Sequence, residues 1–314
     1  MSSVIARPDA APELPPRARP LPRVLFRPVA RHHLWGYVFL APMLLLLLTF
    51  KLVPMVQAFR LSLTSYDLLT PPRFVGFDNY IGLMSDTRFI KSVGVTLYYT
   101  FGTCVPIWFI SLGLALIFNM ALPGRNYLRL AYFLPTIVPI VVFGMIWKFL
   151  FHPYGLLNVG IESVGLPPVD WLTSSAAVIP GFILSSEWRF APYFMVVYLA
   201  GLQNIPQELK EAASIDGANA RQRFWYIVLP LLRPTILLVV VVSVIMASKA
   251  FTNVLVISGG GPNGASTVIG LYIYQQAFQF FKMGVASAAS MLLLLGIMLL
   301  TLFQMWIFRD AQPE

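Results

Sequence analysis

Uncharged apolar stretches recur along the chain, at 93–118, 130–147 and 283–308. Each is close to or above the roughly 20 apolar residues that a helix needs to cross a bilayer. Reading onward by the same pattern predicts six spanning helices, at about 35–56, 93–118, 130–147, 176–202, 234–257 and 284–306. The expected class is therefore an all-α polytopic membrane protein. Prolines 42, 106, 135, 139, 180 and 192 fall in or beside these segments, where neighbouring helices can satisfy the carbonyls they orphan. Small residues open the last segment from Gly284 to Ser290 and allow close helix approach.

The polar remainder sets the topology. Residues 1–34 carry seven prolines and six arginines and read as a disordered basic cytosolic tail. An even number of spans puts both termini on one side. With the termini inside, segments 1–34, 119–129, 203–233 and 307–314 hold 13 Lys and Arg in 84 residues, against six in the 90 residues outside. The positive-inside rule selects that orientation. It also accounts for the net charge of +9 without nucleic acid. Lys51 lies near a span end, whereas Arg189 and Lys249 lie deeper and, with Glu187, must face protein or a wet cavity.

Composition agrees. The chain has 314 residues, 58% apolar and only 11% charged, about half the usual charged share, and its mean hydropathy is +0.74. A secreted, disordered or disulfide-built protein is excluded. Cys104, the single cysteine, lies in an apolar stretch and can build neither a disulfide nor a zinc site within the chain. His32, His33 and His152 form no metal motif, so no metal is expected.

Between the fourth and fifth segments, residues 203–233 read as two short helices. Pro206 suits a first helical turn, residues 207–214 are rich in helix formers, and Asp216-Gly217 supplies a turn. A second helix restarts near Ala218 and runs through Phe224, Trp225 and Ile227 to Leu229-Pro230. Leu209, Ala212 and Ala213 share one side of the first helix, with Glu208 and Glu211 a turn apart. Such a knob fits either a groove on a soluble partner or the membrane surface.

Glu211-Ala212-Ala213, Asp216-Gly217-Ala218, Phe224, Ile227 and Leu229-Pro230 resemble the EAA loop of binding-protein-dependent ABC importer permeases. The resemblance covers about residues 34–308 and is closest to the maltose-type sugar-permease branch. Phe74-Val75-Gly76-Phe77-Asp78-Asn79-Tyr80 resembles that branch's F-V-G-x-x-N-Y element, and Gly259-Gly260-Gly261-Pro262 resembles its G-G-P. The maltose permease itself has extra spans and a large outer insertion. Phe251-Thr252 stands where many relatives have Phe-Asp, which leaves the solute open.

The resemblance implies a type I importer permease fold. It places the domain at 35–308, with 203–233 as cytosolic coupling loop and 309–314 as cytosolic C-terminus. It implies half of a translocation pathway, completed by a second homologous permease in a heterodimer. Solute arrives from an extracytoplasmic binding protein, and two separate subunits bind ATP and Mg and hydrolyse the ATP. The location implied is a bacterial or archaeal inner membrane. Glu211, Ala212, Ala213, Asp216, Gly217, Leu229 and Pro230 are the ATPase-coupling residues it implies. Ser186, Arg189, Phe190 and Tyr193, with Ser243, Met246, Ala247 and Ala250, match the maltose permease's cavity. Each set has i, i+3, i+4, i+7 spacing and so shares one helical face. A sugar, an oligosaccharide, a polyol or a glycerol phosphate conjugate fits the branch.

No catalytic residues are expected. Residues 259–266 carry Gly259 and Gly264 at phosphate-loop spacing but Ala265 where the lysine belongs. A membrane-embedded enzyme lacks clustered carboxylates or a nucleophile motif. An ion-coupled secondary transporter or channel is the other alternative, with no inverted repeat to support it.

Overall fold

The computed structural model describes residues 32–120 and 123–308. The arginine-rich tail to residue 31 and the C-terminus from 309 lie outside them. Helix begins at His32. The described residues divide into two units, one ending at Val53 and the other beginning at Pro54.

The first unit contains α1 (His32–Leu47), which carries Pro42, and a π-helical turn at Leu48–Leu52. Tyr37, Phe39, Met43, Leu45 and Phe50 are all exposed. Such an apolar exterior is suited to lipid rather than water.

The second unit begins with α2 (Val53–Ser62), followed by a short antiparallel pair, β1 (Thr64–Ser65) and β2 (Arg73–Phe74). Next come α3 (Asp78–Ser85) and α4 (Thr87–Asn119). Asn79 Nδ2 donates to the carbonyls of Ser62 and Thr64 at 2.8 and 2.9 Å, and Tyr80 shares a 2.7 Å hydroxyl bond with Ser62. The Phe74 to Tyr80 element is therefore a clamp on the end of α2.

The stretch 130–147, expected as one span, is two helices: α5 (Arg125–Ile137) and α6 (Ile140–Leu150), bent by 95°. The break sits at Val138-Pro139, where proline has no N–H to continue the ladder. Then follow α7 (Leu156–Ser163) and α8 (Val178–Gln203). The polar loop forms α9 (Gln207–Ile215), α10 (Ala220–Arg223), a π-helical turn at Phe224–Val228, and α11 (Leu229–Leu231).

The expected span 234–257 is also divided. Helix α12 (Arg233–Ser248) stops at Lys249, and α13 (Thr252–Ile257) restarts after three residues. Lys249 is exposed at the C-terminus of α12, a position that favours a cation. Helices α14 (Ile269–Tyr274) and α15 (Met283–Ile307) complete the order.

Helix α4 is the axis of this unit. It packs along α8, with α12 and α14 also against it, while α6 packs on α13. At membrane depth lipid is as apolar as leucine, so close packing and interhelical hydrogen bonds hold such helices together. One core gathers Tyr99, Cys104, Phe143, Phe182, Val244 and Ile257. A second, extending to the polar loop, gathers Ile107, Met195, Leu199, Leu202, Ile205 and Leu232. Tyr37–Ser62, Thr87–Asn119 and Met283–Ile307 are long and apolar enough to cross a membrane; the number is up to five if the bent pairs 125–150 (95°) and 220–248 (64°) each count as one span.

Candidate functional site

The polar loop is built from local chemistry. Pro206 (φ −54°, ψ 131°) is the N-cap of α9 rather than part of its first turn. At the other end Gly217, with φ +82°, closes the helix. Its N–H donates to Ser214 O at 3.2 Å and that of Ala218 to Ala213 O at 2.9 Å, the paired bonds of a Schellman motif, in which glycine takes the left-handed position at least cost. The second helix starts at Ala220, two residues later than the sequence pattern suggests, because Asn219 caps it. Asn219 Oδ1 accepts from the Gln222 N–H and Gln222 Oε1 from the Asn219 N–H, both at 2.9 Å. This capping box satisfies two otherwise orphaned donors, and the Asn-x-x-Gln spacing carries its signal in the sequence.

Both ends of the loop are tethered. Leu202 and Ile205 precede α9, Leu232 follows α11, and all three are buried in one core. At the root Gly201 lies so close to α12 that a Cβ there would stand 2.4 Å from Thr235 Oγ1. The loop is therefore a short, supported platform.

Its two sides differ. Glu208, Ala212 and Ile215 point outward, Ile215 being 87% exposed, and Trp225 and Tyr226 are also exposed. On the inner side Gln207, Lys210, Glu211 and Ser214 line a pocket of about 330 Å³ with Arg223 and Phe224. Arg223 donates to the Ser214 hydroxyl, which donates to Lys210 O. Ala213 is half-buried, Asp216 is exposed, and Leu229 and Pro230 are half-buried in the return helix.

The eight residues matched to the cavity divide differently. Ser186 and Ser243 are buried and committed to α4: Tyr99 and Ser186 share a 2.7 Å hydroxyl bond, and Trp108 Nε1 donates to Ser243 Oγ at 2.8 Å. Ala247 is buried, Phe190 and Ala250 half-buried, and Tyr193 and Met246 exposed. No hydrogen bond joins the α8 set directly to the α12 set among the described residues. Helix α4 connects them, and Asn253 of α13 also donates to Tyr99 at 3.4 Å. Tyr99 and Trp108 escaped the sequence pattern, although a buried Tyr or Trp needs a partner for its polar end.

Arg189 has a structural post. Its Nη1 donates to Val138 O at 2.7 Å, and the guanidinium lies 5.0 Å from the Phe143 ring centroid and 5.8 Å from that of Phe190. It thus satisfies a carbonyl at the α5–α6 break. Thr136 Oγ1 donates in return to Arg189 O at 3.2 Å. Both carboxyl oxygens of Glu187 are buried without a hydrogen-bond partner among the described residues, Lys249 included. Beyond the opposite end of α4 from the loop, Asp86 caps the helix by accepting from Arg88 N at 2.8 Å and from Tyr272 Oη at 2.6 Å. Burial raises its pKa, but the Tyr272 hydroxyl, the Arg88 and Phe89 N–H groups and the Arg88 charge together hold the carboxyl below its ordinary value.

No group of three His, Cys, Asp or Glu suited to a metal occurs among the described residues. A platform with Ile215 and Ala212 exposed at its tip can dock a protein, and its roots pack against α8 and α12.

Comparison with known proteins gives a consistent answer. A profile of the family described as binding-protein-dependent transport system inner membrane component matches residues 94–312. The probable ABC transporter permease protein YesP of Bacillus subtilis is 36% identical over 92% of this chain and 96% of its own length. The trehalose/maltose transport system permease protein MalF of Thermococcus litoralis is 33% identical over 87% and 93%. A chain in the crystal structure of a bacterial alginate ABC transporter, in complex with an alginate pentasaccharide-bound periplasmic protein, superposes with a TM-score of 0.78. It is 25% identical over 89% of this chain and 95% of that one.

Proposed function

The chain belongs to the family of inner membrane components of binding-protein-dependent transport systems and is an ABC importer permease; on that premise we propose that it carries a carbohydrate or related solute. It forms half of the pathway beside a second, homologous permease, receives solute from an extracytoplasmic binding protein, and borrows ATP hydrolysis with its Mg from two separate subunits. The names of its relatives, trehalose/maltose and alginate transporters among them, support the solute class. We count six spans by taking the three long apolar helices, the bent pair α5–α6, and α8 and α12 as one crossing each. The charge distribution supports an orientation with both termini and the loop 203–233 in the cytosol.

The observation that carries the coupling reading is the tethered platform of α9 to α11, with Ile215 and Ala212 turned outward between buried anchors. In this reading Glu211, Ala212 and Ala213 enter an ATPase cleft, Asp216 and Gly217 set the angle of entry, and Leu229 and Pro230 return the strain to α12. Ser186, Arg189, Phe190, Tyr193, Ser243, Met246, Ala247 and Ala250 face solute in part of the cycle. Ser186 and Ser243 reach it only after Tyr99 and Trp108 release them.

Gly217→Pro tests this directly, because proline cannot take φ +82° and loses the N–H bonded to Ser214. In the purified four-subunit complex, solute-stimulated ATPase falls by about tenfold or more while the permeases still assemble, as expected for a lost docking geometry worth about 1.4 kcal/mol or more. Glu211→Lys is expected to act in the same direction. Wild-type stimulation in both variants would overturn the reading.

A further inference from the structure

At the end of α4 away from the loop, a pocket of about 430 Å³ opens between the first turn of that helix, the segment 259–267 and α14. Arg88 and Lys91 stand three residues apart on its wall and so project from one helical face. The opposite wall is glycine: a Cβ on Gly259 or Gly261 would meet nothing nearer than 3.5 Å, so backbone lies open to a ligand. Asn263 and Gly264, with φ +49° and +71°, also line the pocket, and their N–H groups enter no hydrogen bond among the described residues. Two backbone N–H groups without a protein partner leave donors for a ligand.

The cations are largely free for a ligand. Lys91 Nζ spends one donor on Asn263 O at 2.8 Å and keeps two. Arg88 lies over the Phe280 ring at 5.8 Å. The nearby carboxylate of Asp86 offsets part of the Arg88 charge, but its oxygens are taken by Arg88 N and Tyr272. Gln275 and Thr267 add neutral polar groups at the rim. Charged, neutral polar and bare backbone donors thus converge on a space of sugar-ring size, without a carboxylate that pairs with Lys91.

We propose that this pocket is an outer subsite for the acidic group of an anionic sugar, held by Arg88 and Lys91 with its ring over the glycine wall. The inference rests on the reading of the chain as a carbohydrate importer and narrows its solute class to sugar acids. One structural relative imports alginate, an acidic polysaccharide. An arginine fork and a lysine point charge together can hold a carboxylate or sulfonate, whereas a neutral disaccharide gains little from either.

The test uses the full complex in nanodiscs, wild type and Arg88→Gln/Lys91→Gln, titrated with digalacturonate, dimannuronate, galactobiose and inorganic sulfate. At least one of the two uronate dimers is expected to bind the wild type, about tenfold more weakly in the double variant, and to weaken as salt rises. Galactobiose is expected not to compete. Failure of both uronates to bind, or equal binding in the variant, would overturn the proposal. Sulfate binding as tightly as the uronates would also overturn it, as a plain counter-ion site. Loss of binding-protein association with uronate binding unchanged would assign the pocket to protein docking instead. Binding-protein-stimulated ATPase in the same preparations separates the two readings: its presence without uronate binding sinks the subsite alone, and its absence sinks the importer reading.

Discussion

The polar loop 203–233 and the α4-facing sides of α8 and α12 solve opposite problems with similar means. The loop must hold a few side chains out in the open, so it buries leucine and isoleucine at both ends and presents α9 between them. The membrane faces must keep polar groups out of lipid, so Ser186 and Ser243 are tied inward to Tyr99 and Trp108 of α4. In the loop hydrophobic anchors support polar and apolar display. In the membrane polar ties support concealment.

The comparison breaks most severely at an anchor. Leu232→Ala removes a fully buried side chain from the root of the loop and is expected to cost about 2–5 kcal/mol. Fluorescence-monitored melting of the detergent-solubilised complex should register this as an early transition, with solute-stimulated ATPase lost before the membrane helices unfold. A single coincident transition would mean that loop and membrane helices are one cooperative unit. Arg189→Met is milder, because it keeps apolar bulk but orphans Val138 O; about 1–3 kcal/mol is expected for the unsatisfied carbonyl. Uptake in reconstituted vesicles separates its roles: a loss larger than the melting shift predicts would mean solute contact besides support of the break. The smallest effect is Asn219→Ala, which removes a cap worth about 1 kcal/mol. Hydrogen exchange should quicken in α10 while α9 stays protected, and equal quickening in both would show that the two short helices are not independently closed.

The loop was legible because its determinants are local. Pro206, the Asp216-Gly217 turn and the restart of helix follow from backbone preferences within a few residues, and only the cap at Asn219 displaced the second helix. The long uninterrupted helices were legible too, since 87–119 and 283–307 contain no competing signal strong enough to stop them. The two broken segments were not. Pro139 announced some irregularity but not a 95° bend, which depends on an arginine 50 residues later to satisfy the freed carbonyl. The stop at 249–251 has neither glycine nor proline; its register is set by partners distant in sequence, among them Tyr99 on Asn253. The pairing of serines with Tyr99 and Trp108 was hidden for the same reason, since helical spacing tells which residues share a face but not what that face meets.

The interruption after Ser248 gives α12 a length as well as a boundary. Sixteen residues make a rod of about 24 Å, rooted at one end beside the platform and ending just short of Asn253. A tilt of about 5° about the end beside the platform would swing the far tip through about 2 Å, enough travel to part a hydroxyl from its partner, and the three-residue gap before α13 leaves that helix outside the rod.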